Sequence, residues 1–382
     1  MRAVAAAMAL TRWRIRAMLI PLIAASLLAY AQDGRAEAGS QMQQVSSSAG
    51  LFHSCAIEHG KAYCWGDDSY GELGNGSTGG YSSVPVAVDV NGALEGKVLV
   101  QITTGYDDTC ALDSAGVAYC WGYNYYGELG DGTTADSSVP VAVDMGGVLA
   151  GKTLTQISAG HVITCALDAG GAAYCWGYGD GGELGNGGNA STSVPVAVNS
   201  GGALAGKTLT QISSGYEFTC ALDSVGAAFC WGDNDSGQLG DGTTTASAVP
   251  VAVDTGGVLA GKTLTRVTTG EGQHACALDS SGAAYCWGYN NAGQLGNGTT
   301  TDSAVPVAVD ASGVLAGKTL TDITAAAENT CAMDAGGAAY CWGINGYGEL
   351  GDGSFADSIV PMPVDASGIL AGKTLTQISE AI

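Results

Sequence analysis

The sequence predicts an all-β fold, a β-propeller of four-stranded blades. Three observations carry that prediction. One unit recurs six times at a period of 55 residues with a single step of 56, each unit holds four short β-rich segments, and helical periodicity is absent beyond the N-terminal segment. The cysteines mark the units: Cys55 and Cys64, Cys110 and Cys120, Cys165 and Cys175, Cys220 and Cys230, Cys276 and Cys286, Cys331 and Cys341. Four strands in a repeat of this length fit a propeller blade, since a β-solenoid coil is much shorter. At 46% hydrophobic and 13% charged, the 382-residue chain can bury a large core despite its 61 glycines.

The elements follow in chain order. Arg2, Arg12, Arg14 and Arg16 precede an apolar run from Ala17 to Ala31, with no acid among them. This reads as a secretory signal peptide over residues 1–31, with an alternative cleavage after Ala38. The run is short for a membrane span, which needs about twenty residues, although an uncleaved anchor is the other reading. A linker over 32–42 leads to the repeats, 43–382, where no later segment is apolar enough to span a bilayer. In the third unit the strands fall around Thr153–Ser158, Thr164–Asp168, Ala172–Trp176 and Val194–Val198, each rich in β-branched or aromatic residues and bounded by turn formers. The proline of Val-Pro-Val suits an edge strand, because it cannot donate to a ladder.

Each second cysteine is followed by Trp-Gly and then Gly-Glu/Gln-Leu-Gly-Asp/Asn-Gly, with Val-Pro-Val next in the first five units and Val-Pro-Met in the sixth. These units resemble the regulator of chromosome condensation (RCC1-like) repeat family over residues 43 to 382, as an exported member of bacterial type with a disulfide in each repeat. The resemblance implies a propeller, usually of seven blades. It also implies protein binding among exported members, one of which inhibits β-lactamases, and nucleotide exchange on a small GTPase or chromatin binding among nuclear ones. Three departures stand out: only His53 and His274 keep the histidine before the first cysteine, an Asp-X-Gly-Gly-Val-Leu-Ala-Gly-Lys segment is added, and there are six hairpins. The first-strand motif occurs at Gln41–Ser48 and again at Thr374–Ser379. Two arrangements are therefore open: six blades, with Val360–Val364 joining the N-terminal strands, or seven with one missing or incomplete.

Pairing Asp113 with Val117 across a three-residue loop sets Cys110 opposite Cys120. In the first unit the cysteine spacing is one shorter, and a two-residue His59-Gly60 loop again sets Cys55 opposite Cys64. Directly opposed Cα atoms lie within reach of a disulfide, so six cross-strand disulfides are expected; the competing reading is six pairs of buried thiols. Zinc ligation fits the spacing less well. The tryptophan beside each pair, from Trp65 to Trp342, is expected to pack blade against blade.

Strand alternation puts the first–second and third–fourth loops on one face, and the hairpin and the added segment on the other. The hairpin face repeats a lysine in every unit, whereas the loop face varies. Its candidate partner-binding residues are Phe52, Tyr106, Tyr216 and Phe218 near the first cysteine, and Tyr70, Tyr123, Tyr125, Tyr126, Tyr178, Tyr289 and Tyr347 after Trp-Gly. Tyrosine among Asp, Asn and Ser on loops held by a rigid scaffold has the composition of a recognition surface.

The expected function is a secreted or cell-surface, non-enzymatic scaffold that recognises an extracellular protein or glycan, as a monomer. Other readings are a purely structural cell-envelope element and a hydrolase. Without residues 1–31 the chain has nine basic against 36 acidic groups, a net of −27, which argues against nucleic acid and nucleotide exchange and favours basic partners. No cofactor is expected; Asp233-Asn234-Asp235-Ser236-Gly237 with Asp241 has some likeness to a calcium loop, although Asp and Asn also make turns. The four histidines, His53, His59, His161 and His274, form no catalytic pattern with a repeated carboxylate.

Overall fold

A computed structural model describes residues 42–45 and 52–379, so the expected signal segment and its cleavage points lie outside the described residues. The described residues form 24 strands, β1 to β24, in six antiparallel sheets of four. In the second blade these are β5 (Leu99–Thr104), β6 (Asp108–Asp113), β7 (Ala118–Gly122) and β8 (Ser137–Ala142). The third-blade strands, Leu154–Ala159, Ile163–Asp168, Ala173–Gly177 and Thr192–Ala197, fall within two residues of the expected bounds. Pro140 lies in β8, the outer edge strand, where its missing N–H leaves no gap in a ladder.

The hairpin register is the one the loop lengths predict. Cys110 faces Cys120, Cys55 faces Cys64, and all six pairs are disulfides with Cα atoms 4.0–4.1 Å apart. Asp113 closes its turn by accepting the amides of Ala115 and Val117 and the Tyr119 hydroxyl. The added segment forms a short 3-10 turn in the first four repeats; at Gly147–Leu149 it drives Leu149 fully into the core, a burial worth about 2 kcal/mol.

The core lies between blades. The second blade's disulfide, Leu129 and Leu149 pack on Ala166, Tyr174 and Trp176 of the third. Trp121, Trp176, Trp231, Trp287 and Trp342 are fully buried. The Trp176 indole N–H donates to the Glu128 carbonyl of the preceding blade at 2.7 Å, and Gly130 lies so close that a Cβ there would sit 2.7 Å from the ring. Tryptophan and the Gly-Glu-Leu-Gly turn are thus two halves of one interblade joint. Trp65 is only half-buried.

One expectation is corrected. Val360–Val364 does not join the N-terminal strands: β24 (Ser358–Pro363) pairs with β23 (Ala339–Gly343), and β1 (Met42–Val45) pairs with β2 (His53–Glu58), so each blade comes from one continuous segment. The pairing is the one between consecutive strands that the other five blades share. Leu375 and Ile378 of the last first-strand motif pack on Met333 and Leu350 of the sixth blade, as Leu320 and Ile323 pack on Leu278 and Leu295 of the fifth. Among the described residues a Cβ at Gly348 would meet only Phe355 of its own loop, where Gly127 meets Ser193 of the next blade.

Candidate recognition face

The loop face is built on a backbone lattice. The first–second loop of each blade binds its own third–fourth loop, as where the Tyr123 amide donates to the Asp107 carbonyl at 2.8 Å. The glycine of Trp-Gly makes this approach possible: Gly122 has φ 106°, and a Cβ would lie 2.5 Å from the Asp107 oxygen. Neighbouring blades are joined at the centre by Tyr106 N–H to Gly160 O, His161 N–H to Gly215 O, and Tyr216 N–H to Gly270 O.

Two aromatic runs rest on this lattice. The inner one links Phe52, Tyr106, His161 and Tyr216, with successive ring centroids 5.4, 4.1 and 4.7 Å apart. The outer one links Tyr70, Tyr123, Tyr125, Tyr126 and Tyr178, at 5.0, 6.4, 4.9 and 4.9 Å. Both stay within the first four blades. Eight of the eleven candidates therefore meet in continuous runs. Tyr289 stands apart with its hydroxyl accepting from Asn291, and Tyr347 is exposed in the sixth blade. Phe218 is a correction: it is the first residue of β14 (Phe218–Asp223), wholly buried, and offers nothing to a partner. It occupies the slot that holds His53, Asp108, Ile163, His274 and Asn329 in other blades, all of them buried.

His161 and Glu271 were not among the candidates. Glu271 accepts from His161 Nδ1 at 2.9 Å, a bond from the fifth blade to the third that passes over the fourth. The cause is the 56-residue step, which adds one residue between Gly270 and Cys276. In the fifth blade it is Gly272 that reaches the next blade's carbonyl, Ala326 O, and Glu271 is released toward the centre. Burial disfavours the His161 imidazolium, but Glu271, with Glu217 and Asp107 nearby, outweighs it and raises the pKa. His53 and His274 differ: burial lowers each to about 4, and each bonds a threonine of the next blade, Thr109 and Thr330.

Beneath the outer run lie the Glu/Gln residues of the Gly-Glu/Gln-Leu-Gly turn. Glu128 Oε2 accepts the Tyr126 amide at 2.8 Å, as Gln238 Oε1 accepts the Ser236 amide and Gln294 Oε1 the Ala292 amide. Burial raises Glu72 and Glu128 to about 8 and Glu183 to about 7, so these carboxyls resemble the neutral amides that replace them in the fourth and fifth blades. Glu72 and Glu128 each keep one buried oxygen, Oε1, without a hydrogen bond. Burial and the nearby Glu217 also raise Tyr178 to about 12.

The Asp233–Gly237 loop is closed by Asn234, buried, which donates to Thr243 O and Thr245 O and accepts the Leu239 amide. Asp241 accepts the Thr243 amide and hydroxyl. Among the described residues no three His, Cys, Asp or Glu side chains are grouped to hold a metal ion, and no helix is long and apolar enough to cross a membrane.

The family model for the RCC1-like domain matches residues 31–381. The ultraviolet-B receptor UVR8 of Arabidopsis thaliana is 31% identical over 319 residues, covering 83% of this chain and 69% of the receptor. The human E3 ubiquitin-protein ligase HERC2 is 32% identical over 294 residues, 76% of this chain but 6% of that ligase. Among solved structures, human WBSCR16 superposes with a TM-score of 0.73 at 24% identity, covering 85% of this chain and 83% of that one. Yeast RCC1 (Prp20) bound to Kap60 superposes at 0.70 and 21% identity, over 84% of this chain and 75% of that one. These likenesses bear on the fold alone.

Proposed function

Starting from the premise that the chain belongs to the RCC1-like domain family, we propose that it is an exported, non-enzymatic binding scaffold that captures an extracellular protein or glycan through its loop face. The observation that carries this reading is the confinement of both aromatic runs to loops of four adjacent blades. Rigid rings carried on a stiff backbone give contact area at low entropic cost. Tyr125 is 65% exposed, which no packing role requires. Export is supported by six disulfides, which persist in oxidising compartments, and by the basic-then-apolar N-terminal sequence. A non-enzymatic role is supported by the histidines: His53 and His274 are buried against threonines, and His161 is tied to Glu271.

The test is capture from the extracellular fraction by the disulfide-intact chain, wild type against the triple variant Tyr123→Ala, Tyr125→Ala, Tyr126→Ala. Loss of the captured species with an unchanged melting temperature is the expected result. Equal capture by both would overturn the assignment of the face.

A further inference from the structure

We infer that the joint between the third and fourth blades is the weakest of the five described interblade joints, and that the His161–Glu271 pair is a pH-sensitive latch holding it shut. The inference does not depend on what the loop face binds.

The joints repeat one pattern of hydrogen bonds. The tryptophan indole N–H and the threonine before the first cysteine both donate to the carbonyl of the turn Glu or Gln in the preceding blade. Trp121 and Thr109 reach Glu72 O at 2.8 and 3.0 Å, Trp176 and Thr164 reach Glu128 O at 2.7 and 3.0 Å, and Trp342 and Thr330 reach Gln294 O at 2.8 and 2.9 Å. The fifth blade has Ala275 in place of the threonine, but Trp287 still reaches Gln238 O at 2.9 Å. Among the described residues the third–fourth joint makes neither bond. The Trp231 indole N–H is buried without a partner, and Thr219 donates to Ser214 Oγ of its own blade at 3.4 Å, with the Cys165 sulfur across the joint at 3.6 Å.

The cause lies one loop away. Buried Asn124, Asn234, Asn290 and Asn345 each clamp the third–fourth loop by accepting the amide of the turn leucine at 2.9–3.0 Å, and Asp68 does so in the first blade at 3.2 Å. The third blade has Gly179 there, and its loop has filled the space: a Cβ would lie 2.6 Å from Ala190 O. The turn that carries the Glu183 carbonyl therefore lacks the clamp that holds it in the other five blades.

The His161–Glu271 bond, at 2.9 Å, spans this joint and the next. The loop it passes over is strained, since Glu217 holds a left-handed φ of 54°. The groups facing His161 are Tyr106 and Asp107 of the second blade, Tyr216 and Glu217 of the fourth, and Glu271 of the fifth, with Asp108 buried close to Asp107 and Glu271. Burial opposes the imidazolium, but Glu271, Glu217 and Asp107 more than offset it, so His161 titrates above its ordinary 6.5. A group raised in this way adds stability that is fully present below its unfolded value and is lost as pH rises through the folded one. The latch is an ion pair at pH 5.5 and a neutral hydrogen bond once the proton leaves. The inner aromatic run crosses the joint from His161 to Tyr216, so the latch also sets the spacing of those rings.

One glycine amide crosses each joint at the outer strand and reports its opening: Gly76 to Ser138 O, Gly132 to Ser193 O, Gly187 to Ala248 O, Gly242 to Ala304 O and Gly298 to Ile359 O, all at 2.8–2.9 Å. The experiment measures hydrogen exchange of these amides in the full disulfide-intact chain at pH 5.5 and 8.5, corrected for intrinsic rates. Wild type is compared with Glu271→Gln, which keeps an acceptor for His161 without the charge, and with His161→Gln. In wild type at pH 8.5, Gly187 should be about tenfold less protected than Gly132 and Gly242, as two missing hydrogen bonds imply. At pH 5.5 wild type should protect Gly187 about fivefold better than either variant, and the three should converge at pH 8.5. The titration of Glu183, raised by burial to about 7, is common to all three proteins and cancels. Equal protection of Gly187, Gly132 and Gly242 at both pH values overturns the weak joint. No gap between wild type and the variants, the same gap at both pH values, or an equal gap at Gly132 overturns the latch.

Discussion

Hairpin-face aspartates and the turn glutamates of the loop face shift in opposite directions. On the hairpin face, burial works against the ionised aspartates, but Lys318, the Ala338 and Gly336 amides and the Tyr340 hydroxyl hold Asp334 to about 2, and Asp168, Asp223 and Asp279 are lowered by matching sets of contacts. On the loop face, burial lifts Glu72 and Glu128 to about 8. A lowered aspartate adds stability above its unfolded value near 3.8, and loses it as pH falls through the folded value. A raised glutamate does the reverse. The folded chain holds its proton from pH 4.5 to about 8 while the unfolded chain has released it, so stability declines through that window and then levels off. One face holds its carboxylates ionised with lysines and turn amides, and the other buries carboxyls that keep their protons.

The sharpest way to break this contrast is on the hairpin face. Asp168 accepts the Gly170 and Ala172 amides, the Tyr174 hydroxyl and Lys152, and is nearly buried. Asp168→Ala should cost about 2–3 kcal/mol in urea unfolding of the disulfide-intact chain, because it orphans several donors at once. On the loop face, Glu72→Gln and Glu128→Gln should each stabilise by at least about 1 kcal/mol at pH 8.5 and change little at pH 5, since each removes the cost of a buried carboxylate. Melts at both pH values check this; equal effects at the two would contradict a proton held to about 8. The smallest effect belongs to Tyr125→Ser, which should leave stability within about 0.5 kcal/mol while weakening partner capture. A large loss of stability there would return the tyrosine run to the core.

How far the sequence disclosed these features depended on the range of the interaction that fixes each. Hairpin loop length is local, and it located every disulfide. Strand alternation is local too, and it separated the faces; applied more strictly, it also places Phe218 inside, since that residue shares its slot with His53 and Asp108. The partner of the Val360 strand is local as well: it pairs with the preceding strand, as the fourth strand does in each of the other blades, so the repeat applied strictly also gives that pairing. The Glu/Gln exchange within one motif was visible, but its meaning, a carboxyl kept neutral by burial, needed the interblade joint that covers it. The extra residue in the fifth repeat was visible as a number; that it frees Glu271 to reach His161 needed the loop lattice.

That extra residue has a mechanical consequence. A repeat array held only by nearest-neighbour contacts behaves as a one-dimensional chain, in which end units can unzip without disturbing the middle. The His161–Glu271 bond joins units that are not neighbours, and Tyr216 of the intervening blade meets His161 edge-on inside the span. The third, fourth and fifth blades are thereby coupled as one cooperative block, and opening any one of them strains the other two.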